Sequence, residues 1–264
     1  MITTIYQIDA FTDKIFGGNP AAVCPLDSWP ADTVLQNIAI ENNLAETAFF
    51  IHLEGNKYHL RWFTPEIEID LCGHATLASA YVIFNELNQE ADELVFESKS
   101  GILKVKKQGA YLELDFPSRP PVKADLPATI ADALSIQPVE VWKSRDYLLV
   151  YNSEEEVQKL IPNVGLLNEI NSSPGGIIAT AIGAADEVDF VSRFFTPQAS
   201  VFEDPVTGSA HCTLVPYWSE RLGKTSFRAL QISDRGGELL CKLKGDRVTI
   251  KGKAVKYLEG RIIV

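Results

Sequence analysis

The sequence predicts an α+β fold of two similar halves. Each half is a curved, mostly antiparallel, barrel-like sheet wrapped around a central hydrophobic helix. Three observations carry this. Arg61-Trp62-Phe63-Thr64-Pro65 returns as Arg193-Phe194-Phe195-Thr196-Pro197, an offset of 132 (193 − 61) in a chain of 264 residues. Each copy then leads through a polar turn into a small-residue helix start: Leu71-Cys72-Gly73-His74-Ala75-Thr76, and Glu203-Asp204-Pro205-Val206-Thr207-Gly208-Ser209-Ala210. The helix expected over Gly73 to Asn88 is apolar nearly all round, so it must be buried, and short strand-like segments stand on both sides to wrap it.

In chain order, Tyr6 to Phe11 reads as a strand, ended by a turn at Gly17-Gly18-Asn19-Pro20. Ser28-Trp29-Pro30 opens a helix carrying Val34, Leu35, Ile38 and Ala39 at helical spacing. Ala48 to Leu53 and Tyr58 to Phe63 bracket Gly55-Asn56 as a hairpin. After the apolar helix come strands over Glu93 to Ser98, Ile102 to Lys106 and Tyr111 to Phe116. Pro117-Ser118-Arg119-Pro120-Pro121 then reads as a linker, so the halves are expected at 1–118 and 119–264, with the last strand free to pack on the first half. The second half is expected to hold helices near Pro127 to Leu134 and Glu154 to Ile161, and strands within Val139 to Tyr151, Gly176 to Ala181 and Phe190 to Phe195. A long helix follows from Ser209 to Leu222, interrupted by Pro216. A strand-rich tail turns at Gly236-Gly237, Lys244-Gly245-Asp246 and Glu259-Gly260.

Composition narrows the function. Hydrophobic residues make up 46% and charged residues 22%, as in a packed globular chain. A net charge of −11 argues against nucleic acid or an anionic membrane as partner, though a helix N-terminus can still bind a small carboxylate. The N-terminal stretch lacks a basic and then apolar signal pattern, and no apolar run is long enough to span a bilayer. The four cysteines show no paired spacing, so reduced thiols and a cytoplasmic location are expected.

Several residues carry chemistry. Glu46 is the last charged group before an apolar strand, where burial would raise its pKa into general-base range; a solvated loop carboxylate is the other reading of the same pattern. Asp204 precedes a proline, which fits a turn or a helix cap; the offset of 132 sets it in register with Cys72, which fits a site. Cys72 and His74 flank Gly73 at a helix start, where a thiol pKa is expected to fall and an imidazolium to be disfavoured. No metal is expected, because Cys72-x-His74 and His211-Cys212 meet only through tertiary contact. No G-x-G-x-x-G, P-loop or G-x-S-x-G occurs.

In family order, Asp9-Ala10-Phe11-Thr12, Gly18-Asn19-Pro20-Ala21-Ala22-Val23, Leu44-Ala45-Glu46-Thr47-Ala48-Phe49, Arg61 to Pro65, Cys72-Gly73-His74-Ala75-Thr76 and Glu203-Asp204-Pro205-Val206-Thr207-Gly208-Ser209 resemble the PhzF-like, phenazine biosynthesis-like family. That family shares the diaminopimelate epimerase fold. The resemblance implies a site in the cleft between the halves, cofactor-independent isomerisation by proton transfer on a small carboxylate substrate, and a homodimer. It makes Glu46 the principal acid/base, with His74, Asp204 and Ser209 assisting. Gly73 and Gly208 would offer backbone amides to a carboxylate, and Asn19 and Cys72 would line the substrate. Two departures stand out. Ala45 replaces a frequent Ser, and the halves hold Cys72 and Asp204 where epimerase relatives carry two cysteines. That asymmetry favours a hydrogen shift centred on Glu46 over a symmetric two-thiol racemase. A catalytically inactive binding member of the same fold is the alternative, opposed by the presence together of Glu46, His74 and Asp204. A two-carboxylate hydrolase has no motif in its favour.

Overall fold

The computed structural model describes residues 2–87, 90–169, 175–197, 199 and 201–264. The chain divides into two compact units. The first is Met1–Asp115 with Lys251–Val264, and the second is Phe116–Ile250.

In chain order the first run holds β1 (Ile2–Ala10), β2 (Asn19–Leu26), α1 (Asp32–Asn42), β3 (Glu46–His52), β4 (Lys57–Phe63), a short β5 (Glu68–Ile69), α2 (Gly73–Val82), β6 (Glu93–Ser98), β7 (Gly101–Gln108) and β8 (Tyr111–Pro117). The second holds β9 (Val122–Lys123), α3 (Ala128–Ala133), β10 (Glu140–Lys143), β11 (Tyr147–Val150), α4 (Glu154–Lys159), α5 (Val164–Asn168), β12 (Ile177–Ile182), β13 (Phe190–Phe195), α6 (Gly208–Leu222), β14 (Ser226–Gln231), β15 (Gly237–Lys244) and β16 (Arg247–Gly252). β17 (Ala254–Ile263) returns to the first unit, antiparallel to β1.

The duplication extends to the pairing pattern. In the first unit neighbours run β17, β1, β2, β3, β4, β6, β7. β2–β3 and β4–β6 are parallel and the other four pairs antiparallel. In the second they run β9, β10, β11, β12, β13, β14, β15, with β11–β12 and β13–β14 parallel and the rest antiparallel. Each parallel pair is bridged by helices, α1 or α4 with α5 for one and α2 or α6 for the other, as a parallel connection requires. The C-terminal strand β17 thus does for the first unit what β9 does for the second.

The burial follows the hydrophobic pattern. In α2 every residue except Gly73 and Tyr81 is buried, and the helix packs on β1, β2, β3 and β17. α1 covers β2 and β3 with Leu35, Ile38 and Ala39 against Cys24, Phe49 and Phe63. In the second unit Ile130, Val157 and Leu167, from α3, α4 and α5, close on Leu149, Ile177, Val191 and Phe195. Ser153 caps α4, accepting the Glu156 N–H, with three glutamates in the first turn where the helix dipole favours them.

Some boundaries differ from expectation. Asn19 and Pro20 are not in the turn but begin β2, because the reversal, which uses positive φ at Phe11, Phe16 and Gly18, is complete by Gly18. The first helix starts at Asp32 rather than Ser28, with Ala31 at its N-cap. α2 ends at Val82 and continues as a wider π-helical turn over Ile83–Leu87, where the Asn85 side chain donates to the Tyr81 carbonyl; Asn88 lies outside the described residues. Glu259-Gly260 is not a turn. Both lie within β17 opposite Tyr6 and Ile5, and Gly260 is an ordinary strand glycine. The segment Val164–Asn168, not foreseen as a helix, forms α5 behind an Asn163 cap that accepts the Leu166 N–H.

Candidate active site

Four residues of the first unit converge at one end of its sheet. Asn19 and Glu46 are the first residues of the parallel neighbours β2 and β3, with Glu46 beside Ala21. Cys72 is the N-cap of α2 and His74 its second residue. Gly18 sets the place of Asn19. Its φ is +61°, and a Cβ there would lie 2.1 Å from the Ala10 carbonyl oxygen, so only glycine returns the chain from β1 to β2 with Asn19 opposite Ala10. The His74 ring is buried with a neighbour on each edge. Nε2 lies 3.0 Å from Glu46 Oε2, and Nδ1 lies 3.1 Å from Asn19 Nδ2 and 3.5 Å from Cys72 Sγ. With Asn19 Nδ2 donating to Nδ1, the neutral ring carries its proton on Nε2, facing Glu46.

The protonation balance differs from the helix-start expectation on both counts. Burial, reinforced by the Glu46 carboxylate, pushes the Cys72 thiol up to about 11, although His74 and the Ala75 N–H pull the other way. Burial also works against the His74 imidazolium, but the Cys72 sulfur and the Glu46 carboxylate outweigh it and raise His74 well above its ordinary value. The amides of the first helical turn are outweighed by burial in one case and by two flanking acids in the other.

The same three side chains are candidate metal donors. One donor atom from each of Glu46, Cys72 and His74 lies within 4.8 Å of the others. The sequence leads to no metal, since Cys72-x-His74 and His211-Cys212 are joined there by nothing local; in the fold it is Glu46 that stands with Cys72 and His74.

The second unit builds a different site at its matching helix start. Asp204 Oδ2 accepts the Thr207 hydroxyl at 2.5 Å. Gln231, buried on β14, ties the turn together: its Oε1 accepts the Thr207 N–H at 2.8 Å and its Nε2 donates to the Asp204 carbonyl at 2.6 Å. Nothing in the sequence singled out Gln231 or Thr207; a lone polar residue on an alternating strand carries no signal of its own. Ser209 is half-buried at the second position of α6. Its hydroxyl makes no hydrogen bond among the described residues. Gly73 and Gly208 are the first residues of α2 and α6, so their N–H groups fall among those no helix carbonyl satisfies.

The register between the halves needs correction. Arg61 grips Glu68 through two nitrogens at 2.8 and 2.9 Å, and Arg193 grips Glu203 in the same way at 2.8 Å each. Phe63 pairs with Glu68, and Phe195 with Glu203. The helices then start at Gly73 and Gly208, 135 apart (208 − 73) rather than 132. Three more residues separate the pentapeptide from its glutamate in the second half. The counterpart of Cys72 is therefore Thr207, the other N-cap, and that of His74 is Ser209. Asp204 does not stand in the register of Cys72. Strand pairing extends the comparison: Thr47 faces Phe63 as Ile177 faces Phe195, so Gly176 stands where the first unit has Glu46.

A family model described as phenazine biosynthesis-like protein matches residues 8–260. An uncharacterized isomerase of Pseudomonas aeruginosa is 48% identical over 262 residues, 99% of each chain. A phenazine biosynthesis-like domain-containing protein of Bos taurus is 42% identical over 282 residues, 98% of each. The crystal structure of a PhzF-family phenazine biosynthesis protein from Enterococcus faecalis is 47% identical, covers all of both chains and superposes with a TM-score of 0.94. A probable proline racemase from Agrobacterium radiobacter, 10% identical with a TM-score of 0.67 over 99% of this chain and 93% of its own, shares the fold alone. The fold is that of diaminopimelate epimerase-like proteins, and with relatives near half identical along their whole length the chain belongs to the phenazine biosynthesis-like (PhzC-PhzF) family.

Proposed function

We propose that the protein is a cofactor-independent isomerase that moves a proton on a small carboxylate-containing metabolite, with Glu46 as the principal acid/base. The observation that carries this is the contact between Glu46 Oε2 and His74 Nε2, with Asn19 closing the other edge of the ring. The imidazole Nε2 lies 3.0 Å from one carboxylate oxygen, and Oε1 is the oxygen that exchanges a proton with a carbon acid. His74, whose proton affinity is raised, can hold a proton and return it across the same contact. The first-turn amides of α2 and α6 are the preorganised donors such chemistry needs for a substrate carboxylate or a developing enolate. Asp204, held by Thr207, and the hydroxyl of Ser209 take the assisting roles. Names of relatives support the reading, several being called isomerases.

The first unit has one carboxylate–imidazole pair and the second has Gly176 and Ser209 at the matching positions. This favours a hydrogen shift served mainly by Glu46 over a racemase with matched groups on both sides. The test is C–H exchange in deuterated water, followed by NMR, with a panel of amino, hydroxy and unsaturated cyclic carboxylic acids. Exchange should appear with at least one acid and fall about 10²–10⁴-fold in Glu46→Gln, the range a general acid/base contributes. Exchange undiminished in that variant would remove Glu46 from the centre of the mechanism.

A further inference from the structure

Three donor types favoured by zinc stand together in the first unit: a thiol, an imidazole and a carboxylate, with donor atoms within 4.8 Å of one another. The separation of two of them already suits one ion. Zinc takes sulfur at about 2.3 Å and nitrogen at about 2.0–2.1 Å, so tetrahedral geometry sets the two donors about 3.6 Å apart. Cys72 Sγ and His74 Nδ1 are 3.5 Å apart. Both are buried and anchored at the start of α2, which fixes that spacing. Glu46, at the start of β3, supplies the third donor atom, within 4.8 Å of the other two. Three protein donors with a fourth position left over is the arrangement of an open zinc site.

We infer that Glu46, Cys72 and His74 form a binding site for a thiophilic divalent cation, zinc above all, and that the ion blocks proton transfer by occupying the acid/base pair. On binding, the Cys72 S–H bond breaks, its proton and the extra proton of any His74 imidazolium go to solvent, the freed His74 Nδ1 lone pair and a Glu46 oxygen complete the set, and no electron changes hands. The Asn19 amide gives up its bond to Nδ1. The binding rests on the donor geometry alone, and the block rests on the isomerase reading above.

The test uses the whole chain, stripped of metal by chelation. Zinc is titrated against a chromophoric chelator, and cobalt(II) is added separately as a spectroscopic probe. The expected result is one zinc per chain and a cobalt–thiolate charge-transfer band. Both should be lost in Cys72→Ser and in Cys72→Ala, while Cys212→Ser keeps them. The wild-type cobalt spectrum is decisive even if a Cys72 variant fails to fold. No thiolate band in the wild type, or stoichiometric binding that persists without Cys72, overturns the site. Binding with undiminished C–H exchange in the zinc-loaded protein overturns the block and leaves the site standing.

Discussion

His211 offers a test of how the second helix start is built. It is fully buried, three residues into α6, with Nδ1 donating to the Thr207 carbonyl at 2.8 Å. In the first unit Thr76 does the same work, its hydroxyl donating to the Cys72 carbonyl at 2.5 Å. Burial lowers the His211 pKa from 6.5 to about 4, with the Thr207 carbonyl opposing in part. The folded state therefore resists a proton that the unfolded chain accepts. The stability this contributes is present above pH 6.5 and is lost as pH falls toward 4. At about 1.4 kcal/mol per pH unit, the loss between neutrality and pH 4 is about 3 kcal/mol. The assay is denaturant unfolding at pH 7, 5.5 and 4 for the native protein and for His211→Thr, which puts the residue of the first helix into the second. The variant starts less stable, having lost a buried ring, but its stability should fall by about 3 kcal/mol less across that range. Equal pH slopes in the two proteins, or an NMR titration placing His211 near 6.5, would refute the reasoning.

Further outcomes follow from His74 and Gly18 of the first unit. The His74 pKa is raised, so nitrogen NMR should place its titration above that of an ordinary imidazole, and Glu46→Gln, which removes a flanking carboxylate, should bring that titration down. The same sign makes its stability contribution full below pH 6.5 and lost as pH rises through its raised value; His74→Gln should flatten the decline in melting temperature on that alkaline side. Gly18→Ala puts a Cβ 2.1 Å from a backbone oxygen at a φ of +61° and should cost at least about 2 kcal/mol by denaturant unfolding. C–H exchange should fall with it, because Asn19 moves away from His74. A variant as stable as the native protein would show that the turn relaxes freely.

What the sequence made legible depended on how local the physics was. The apolar faces of α1 and α2, the Gly55-Asn56 hairpin and the repeated Arg-aromatic-Phe-Thr-Pro could be read because spacing alone determines them. The cluster of Glu46, Cys72 and His74 was legible as separate candidates, but its shape was not. Asn19 reads as substrate-lining from the sequence, and only the start of β2 at that residue reveals that it also reaches His74. The protonation of Cys72 and His74 was misjudged because a helix terminus is visible in sequence and a carboxylate arriving from another strand is not. The register error has the same root. A repeat fixes an offset only where it repeats, and the three extra residues fall between Pro197 and Glu203, after the pentapeptide has ended.

That corrected register makes the chemical asymmetry of the halves a property of the frame. If Thr207 and Ser209 were replaced by the cysteine and histidine of the first half, the second would still lack its carboxylate, because the position of Glu46 is taken by Gly176. A Cβ at Gly176 would lie 2.5 Å from the Phe194 ring and 2.7 Å from the Phe195 carbonyl oxygen. Phe195 is fully buried and paired in β13, so that carbonyl has nowhere to go. The Gly176 amide is also committed, donating to the buried Asp146 at 2.8 Å. A glutamate there is excluded by backbone, not merely absent. Asp204 is the second half's own carboxylate, three residues ahead of the N-cap, in a turn held by Thr207 and Gln231. Its backbone setting therefore differs from that of Glu46, and the second half has no carboxylate at the position that matches Glu46.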